Sequence, residues 1–176
     1  LELDRVGLQA AGKYLSIFKA SGEDLGGQNG PLYSPLVFNH ILLPRLQARW
    51  SQAREILDEI NPQCQIMLHS CGSVRRDIPA LIAGGIQVLD PIQPRAAGMQ
   101  AAGLKADFGA ALTFHGGIDI QQVLPFGTPE QVEAEVNARL AELAPGGGYI
   151  LAPSHFVQAD TPPHNILAMC QAAQSW

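Results

Sequence analysis

The stretch CQIMLHSCGSVRRDIPALIAGGIQVLDPI (residues 64–92) contains a predicted strand, a short helix and a second strand in direct succession. Both strands, CQIMLHS and IQVLDPI, have almost continuously apolar cores, which is typical of parallel strands buried on both faces. The helix between them, RDIPALIAGG, ends in glycine, a common residue at helix C-termini. This strand–helix–strand unit predicts an α/β fold with a parallel sheet.

The same alternation continues in both directions along the chain. The other predicted elements are a helix at residues 1–14, a strand at 14–21, a helix from Ser34 and Pro35 to about residue 60 with a break near Pro44, a helix at 99–105, a strand at 111–118, a helix that starts with the capping box of Thr128 and Gln131, a strand within 146–155, and a closing helix from Thr161. The sequence therefore predicts an initial helix followed by five β-α units.

Polar side chains gather where the predicted strands end, and this distinguishes two α/β architectures. They are Glu23, Asp24, His69, Cys71, Asp90, His115, Asp119 and His155. In a (β/α)8 barrel all strand ends face one mouth, whereas in a doubly wound sheet the functional ends cluster at one switch point. We therefore predict a (β/α)8 TIM-barrel type of fold in a single domain over residues 1–176. Five units cannot close such a barrel, and the first helix starts without a cap, so we expect this chain to be the carboxyl-terminal part of a longer one.

Composition restricts the classes of partner. The chain has 176 residues and a net charge of -5, and its basic clusters are no larger than Arg75-Arg76, so we predict no nucleic-acid partner. No apolar run reaches the roughly 18 residues of a membrane-spanning helix. Three irregularly spaced cysteines do not predict a disulfide framework. We therefore expect a cytoplasmic protein.

His69 and Cys71 form the strongest candidate for a metal site. Alternate residues of an extended chain point the same way, so both side chains would face the mouth while Ser70 points away. Imidazole nitrogen and thiolate sulfur are common zinc ligands, and a catalytic zinc has three protein ligands. His155 is the first candidate for the third ligand and His115 the second, whereas we expect Cys170 to lie in the core. The alternative is a buried cysteine beside a histidine bonded to backbone.

Carboxylates and an amide provide the other candidate functional residues. Glu23 and Asp24 follow the first strand. Either one of them faces the mouth as a proton donor or substrate anchor, or both belong to a loop shaped by glycines. Asp90 and Asp119 follow later strands, where they bind substrate or cap loops. We add Gln28 and His115 as candidate substrate-binding residues. The glycine-rich stretches do not match a nucleotide-binding fingerprint, because GGGYI precedes its strand.

Four blocks of the chain together resemble the uroporphyrinogen decarboxylase superfamily. They are GEDLGGQNGPLYSP (residues 22–35), LHSCGSVRRDIPALIAGGIQVLDPIQ (68–93), HGGIDIQQVLPFGTPEQVEAEV (115–136) and GGGYILAPSHFVQADTPPHNILAM (146–169). The resemblance covers nearly the whole chain. It implies a (β/α)8 barrel of which this chain is about the carboxyl-terminal five-eighths.

The resemblance implies two alternative activities. The corrinoid-linked methyltransferases of the superfamily hold zinc with a His-x-Cys pair, which His69 and Cys71 match, and with a distant cysteine, whose place falls at His155. The decarboxylases of porphyrin biosynthesis lack the pair, need no metal and carry a Gly-His that Ser154 and His155 resemble. The pair favours a zinc methyltransferase whose partners are a small-molecule methyl donor and a corrinoid protein. The resemblance then implies that His69, Cys71 and His155 hold the zinc, while Glu23 or Asp24 completes the zinc shell or handles a proton. The alternatives are decarboxylation of a tetrapyrrole and a catalytically silent fragment, and a homodimer is an expected assembly.

Overall fold

The computed structural model describes residues 2–176. Its elements are α1 (Glu2–Ala11), a 3-10 turn (Gly12–Tyr14), β1 (Ile17–Gly22), α2 (Pro35–Val37), a π-helical turn (Phe38–Leu42), α3 (Leu43–Ile60), β2 (Gln65–His69), α4 (Ile78–Ala83), β3 (Val88–Ile92), α5 (Ala101–Phe108), β4 (Thr113–Ile118), α6 (Val123–Phe126), α7 (Pro129–Leu143), β5 (Tyr149–Pro153) and α8 (Pro163–Gln174).

The five strands form one parallel sheet in the order β1-β2-β3-β4-β5. Strands that are consecutive in sequence are neighbours throughout, as in a (β/α)8 barrel, whereas a doubly wound sheet reverses its order at the switch point. The predicted α/β architecture is therefore confirmed as a five-unit portion of a TIM-barrel type of fold. The parallel register also aligns the strand ends, because Gly22, His69 and Asp90 are consecutive partners across β1, β2 and β3.

The helices cover one face of the sheet and enclose the main hydrophobic core. Ile66, Leu68, Leu89 and Phe114 point from the strands into this core and are almost completely buried. The helices contribute Trp50, Leu57, Leu81 and Leu104, which are also buried. The alternate residues of the strands, such as Lys19, Met67, His69, Thr113 and His115, point to the other face and are less buried. This second face carries the polar strand ends.

A smaller core lies between the sheet and the last two long helices. Val132 and Val136 of α7 pack with Ile118 of β4 and Met169 of α8. The predicted capping box starts α7, since the Thr128 side chain accepts a hydrogen bond from the Gln131 amide and the Gln131 side chain accepts one from the Thr128 amide. The prediction that Cys170 lies in the core is wrong. It follows Met169 on α8 and therefore points about 100° away from the packed side, where it is exposed.

The break expected near Pro44 is present as the π-helical turn that precedes it. Proline has no amide hydrogen, so a continuous α-helix cannot form its bond at this position. Within residues 2–176, no helix is both long and apolar enough to cross a membrane.

Candidate metal and substrate site

The end of β2 brings His69 and Cys71 together on the open face of the sheet. Nε2 of His69 lies 3.5 Å from Sγ of Cys71. Ser70 between them points the other way, is fully buried, and its hydroxyl accepts a hydrogen bond of 2.9 Å from the Leu25 amide. Because side chains alternate along an extended chain, His69 and Cys71 lie on the same side. Ser70 lies on the other side, where it connects the strand end to the loop after β1.

The loop after β1 adds a carboxylate to this pair. Oδ1 of Asp24 accepts a hydrogen bond of 3.0 Å from the Cys71 amide, and the neighbouring bond from Leu25 to Ser70 fixes the same part of the loop. Among the described residues, Asp24, His69 and Cys71 form one group whose ligand atoms all lie within 4.8 Å of one another. The loop thus places the carboxylate oxygen of Asp24 close to the imidazole nitrogen of His69 and the sulfur of Cys71, three atoms that can bind a metal.

The spacing of His69 and Cys71 fits zinc. An imidazole nitrogen at about 2.0 Å and a thiolate sulfur at about 2.3 Å from a tetrahedral zinc ion lie about 3.5 Å apart. The observed separation of Nε2 and Sγ is 3.5 Å. Nitrogen, sulfur and carboxylate oxygen are all ordinary zinc donors, so these residues are suited to hold that metal.

Asp90 joins His69 to a second histidine. Its Oδ2 is 2.6 Å from Nδ1 of His69, and its Oδ1 is 2.6 Å from Nδ1 of His115. Burial by itself would raise the pKa of Asp90, but the hydrogen bonds to His115 and His69 outweigh burial and hold that pKa below its usual range. An ionised carboxylate only accepts hydrogen bonds, so both Nδ1 atoms carry the hydrogen. The lone pair of each neutral ring is then on Nε2, which faces the Cys71 sulfur in His69 and can accept a metal or a proton.

The thiol of Cys71 is surrounded by negative charge. Its pKa is raised to about 11, chiefly by burial and further by the carboxylates of Asp24 and Asp90, while Lys19 lowers it. The thiolate form is therefore costly unless a cation is present, and a metal ion at this position would supply that cation.

A cleft of about 350 Å³ opens beside this group. Its polar lining consists of Lys19, His69, Asp90, His115 and His155. Apolar side chains complete the wall, among them Pro91, Ala152, Phe156 and Val157. A mainly apolar cleft with a few convergent polar groups is the usual form of a small-molecule site.

The family model of uroporphyrinogen decarboxylase (URO-D) matches residues 23–176 of this chain. The chain belongs to the URO-D family. No curated protein matches it. Among solved structures, a methyltransferase from Methanosarcina mazei is similar with a TM-score of 0.73 and 22% sequence identity over 99% of this chain. The chain spans 46% of that methyltransferase, and a likeness at this identity shows the shared fold.

Within this URO-D fold, the predicted third metal ligand stands apart from the pair. His155 lines the cleft, but it is exposed, its ring packs edge-on against Phe156, and it is not part of the group within 4.8 Å. The third member of that group is Asp24, which we predicted as a catalytic residue that handles a proton or completes the metal shell. Glu23 is exposed and lies outside the group.

The candidate substrate-binding residues divide into two places. Asp90 and His115 line the cleft, as their position at strand ends predicted. Asp119 is buried and accepts hydrogen bonds from Arg95 and the Gln121 amide, and Gln28 donates a hydrogen bond to the Arg95 carbonyl oxygen. Gln28 and Asp119 thus belong to a loop cluster beside the cleft, and their role in substrate binding stays a prediction.

Lys19 is the residue of the URO-D cleft that sequence reasoning missed. It lies in the middle of β1, within the otherwise apolar stretch YLSIFKAS, and it is exposed on the open face. A lysine in the middle of a strand predicted to be buried on both faces is itself a signal, because lysine is rarely buried without a partner.

Proposed function

We propose that this chain carries the metal site and substrate cleft of a zinc-dependent methyltransferase that works with a corrinoid protein. The observation that carries the proposal is the separation of 3.5 Å between Nε2 of His69 and Sγ of Cys71, which equals the spacing of two zinc ligands. The His-x-Cys pair is also the feature by which this sequence resembles the corrinoid-linked branch of its family.

Each residue of the site has a distinct task in this proposal. His69 and Cys71 hold the zinc, and Asp24 supplies the third donor, with His155 as the alternative that the sequence resemblance implies. Zinc held by these residues would supply Lewis-acid chemistry toward a thiol sulfur or hydroxyl oxygen of the substrate. Asp90 keeps the hydrogen of His69 on Nδ1, which leaves Nε2 free for the metal and fixes the orientation of the ring.

The adjacent His69 and Cys71 favour zinc-dependent methyl transfer over decarboxylation and over a catalytically silent fragment. Decarboxylation of a tetrapyrrole in this family needs no metal, so it gives the adjacent imidazole and thiol no task. A catalytically silent fragment would likewise have no use for a thiol surrounded by carboxylates. The methyl donor, the corrinoid partner, the homodimer and the cytoplasmic location remain parts of the proposal.

Zinc content of the purified protein tests the proposal. We expect about one zinc ion per chain in the wild type and in Cys170→Ala, and a loss of zinc in Cys71→Ala. Cys170 is the matched control because it is an exposed cysteine on α8, outside the site. Equal, substoichiometric zinc in all three proteins would contradict the metal site and leave metal-free decarboxylation and the silent fragment as the remaining alternatives.

Methyl transfer gives the second arm of the test. Zinc-loaded protein is mixed with methylcobalamin, a simple corrinoid, and 2-mercaptoethanol, and the visible spectrum reports loss of the cobalt-bound methyl group. We expect demethylation with the wild type and not with Cys71→Ala. A protein that binds zinc but does not demethylate this corrinoid, even at high thiol concentration, would contradict the methyltransferase activity while retaining the metal site.

A further inference from the structure

We propose that His115 is a catalytic residue that accepts the proton of the substrate's thiol or hydroxyl group, and that Asp90 is its positioning residue. The inference rests on the proposed function, because it needs a substrate that loses such a proton in this cleft. The residues that carry it are His115 on β4 and Asp90 on β3, whose Nδ1 and Oδ1 are 2.6 Å apart.

The Asp90 carboxylate determines which ring nitrogen of neutral His115 carries the hydrogen. Because Asp90 accepts a hydrogen bond from Nδ1, the neutral ring has its lone pair on Nε2. Within residues 2–176, Nε2 of His115 has no hydrogen-bond partner. The same carboxylate stabilises the imidazolium after Nε2 takes up a proton, as in the Asp–His pairs of hydrolases.

His115 is the acceptor among the ionisable groups that face the cleft. These groups are Lys19, His69, Asp90, His115 and His155. A lysine is ordinarily a cation without a lone pair. His69 points its Nε2 at the Cys71 sulfur, and Asp90 is engaged with two rings. His155 is exposed and packs on Phe156 without a carboxylate on its ring nitrogens.

The position of His115 on the sheet supports the same role. Asp90 accepts a hydrogen bond from each ring, so His115 lies close to His69. Nε2 of His115 stays available for another partner. Its side chain is 28% exposed and Asp90 is 14% exposed, which lets a small molecule reach the ring but leaves the carboxylate largely screened from water. A partly desolvated Asp–His pair is an effective general base.

The proton transfer is balanced without a further reactant. The bond between hydrogen and the substrate's sulfur or oxygen breaks, and its electron pair stays on that atom. The proton goes to Nε2 of His115, and the ring becomes an imidazolium with its Nδ1 hydrogen still bonded to Asp90. The substrate atom thereby gains the negative charge that makes it a nucleophile toward a methyl group.

The first test is the tautomer of His115 in the protein labelled with ¹⁵N-histidine. We expect NMR spectra of the neutral ring to show hydrogen on Nδ1 in the wild type. Asp90→Asn offers one acceptor oxygen instead of two, so at least one of His69 and His115 should change to the Nε2-protonated form. A wild-type His115 with hydrogen on Nε2 would overturn the inference, and this measurement needs neither zinc nor substrate.

The second test counts protons when zinc-loaded protein binds 2-mercaptoethanol in weak buffer. If His115 retains the proton, the wild type and the control His164→Gln release fewer protons than His115→Gln, which releases about one per bound thiol. His164 is an exposed histidine on α8. Equal proton release in all three would overturn the inference. Ethylene glycol replaces the thiol in a parallel titration, and binding of one or the other identifies the substrate group as thiol or hydroxyl.

Zinc content of each sample separates this inference from the proposed function. Wild-type zinc content in His115→Gln shows that the variant is folded and that His115 is not needed as a ligand. A wild type without zinc would contradict the proposed function, whereas a zinc-loaded wild type that releases as many protons as His115→Gln would contradict the role of His115 alone.

Discussion

His69 and His115 bind the same carboxylate through the same ring nitrogen, yet their surroundings differ. The residue two positions after His69 is Cys71, and the residue two positions after His115 is Gly117. Gly117 has a φ of 95°, and a Cβ there would lie 3.0 Å from the Tyr149 hydroxyl oxygen, so this position disfavours any side chain. One histidine therefore has a sulfur donor beside it and the other has an open Nε2. The residue two positions further along the chain therefore distinguishes two otherwise similar histidines.

The largest expected difference between His69 and His115 is in zinc binding. We expect His69→Ala to lower the affinity for zinc by more than the roughly 10–100-fold that loss of a residue hydrogen-bonded to a ligand costs, because it removes a proposed direct ligand. His115→Ala is the matched control and should stay within about tenfold of the wild type. Competition with a chromophoric chelator measures both affinities. Similar losses in the two variants would contradict the division between metal ligand and free acceptor.

Asp90→Asn should have the next largest effect, because it acts on both histidines. We expect zinc affinity to fall by about 10–100-fold, which is typical for loss of the carboxylate behind a histidine ligand. Chelator competition with Asp160→Asn, an exposed aspartate, as the control provides the measurement. Unchanged affinity would show that the bond from Asp90 to His69 does not support the ligand.

The pKa of Asp90 adds a pH dependence to the same variant. This pKa is held below its usual range in the folded protein, so the ionised group contributes stability above about pH 3.9, the ordinary pKa of an aspartate. That contribution is lost as the pH falls toward the folded-state pKa. We therefore expect the metal-free wild type to be more stable than Asp90→Asn at neutral pH, and the difference to shrink as the pH falls below about 4. Urea unfolding across this range tests it, and a difference that grows toward low pH would contradict it.

Ser70→Ala tests the surroundings of His69, because Ser70 lies between His69 and Cys71 and is hydrogen-bonded to the loop that carries Asp24. The variant leaves the buried Leu25 amide without its acceptor, so we expect unfolding free energy to fall by about 1–2 kcal/mol. Urea unfolding with Ser16→Ala, an exposed serine, as the control measures the change. Equal stability of Ser70→Ala and Ser16→Ala would show that water or another group accepts the hydrogen bond of the Leu25 amide in place of Ser70.

Asp24→Asn should have the smallest effect, on the reactivity of the Cys71 thiol. The Asp24 charge raises the pKa of Cys71, so its removal lowers that pKa and increases the thiolate fraction near pH 8, by about tenfold for each unit of pKa. We expect faster alkylation of Cys71 by iodoacetamide in the metal-free protein. Cys170→Ala is the background for both proteins, which removes the exposed thiol. A rate that is unchanged or slower in Asp24→Asn would contradict the electrostatic account.

Much of the fold was predictable because its signals are local. The capping box of Thr128 and Gln131, the apolar stripe of α7 and the short apolar strands each depend on residues a few positions apart. The pairing of His69 with Cys71 was predictable for the same reason, since alternate residues of a strand share a face. The error on Cys170 arose within one helical turn, where a shift of one residue changes the side of the helix that a residue occupies.

The contacts of Asp90 were not predictable, because they depend on three strands at once. Leu89 pairs with Phe114 and Ile92 with Gly116, so Asp90 and Pro91 together stand opposite His115 in an irregular stretch of the ladder. This irregularity and the register with β2 decide that one carboxylate reaches both rings. No pattern within a single element contains that information.

By itself, the sequence determined the alternation of strands and helices, the family, and the presence of an imidazole and a thiol on one side of β2, because periodicity and neighbouring residues act over short distances. The tertiary structure alone decided that Asp24 rather than His155 joins this pair, that Lys19 faces the cleft, and that Asp90 links His69 to His115. These arrangements depend on sheet register and loop packing, which bring together residues that are far apart in the chain.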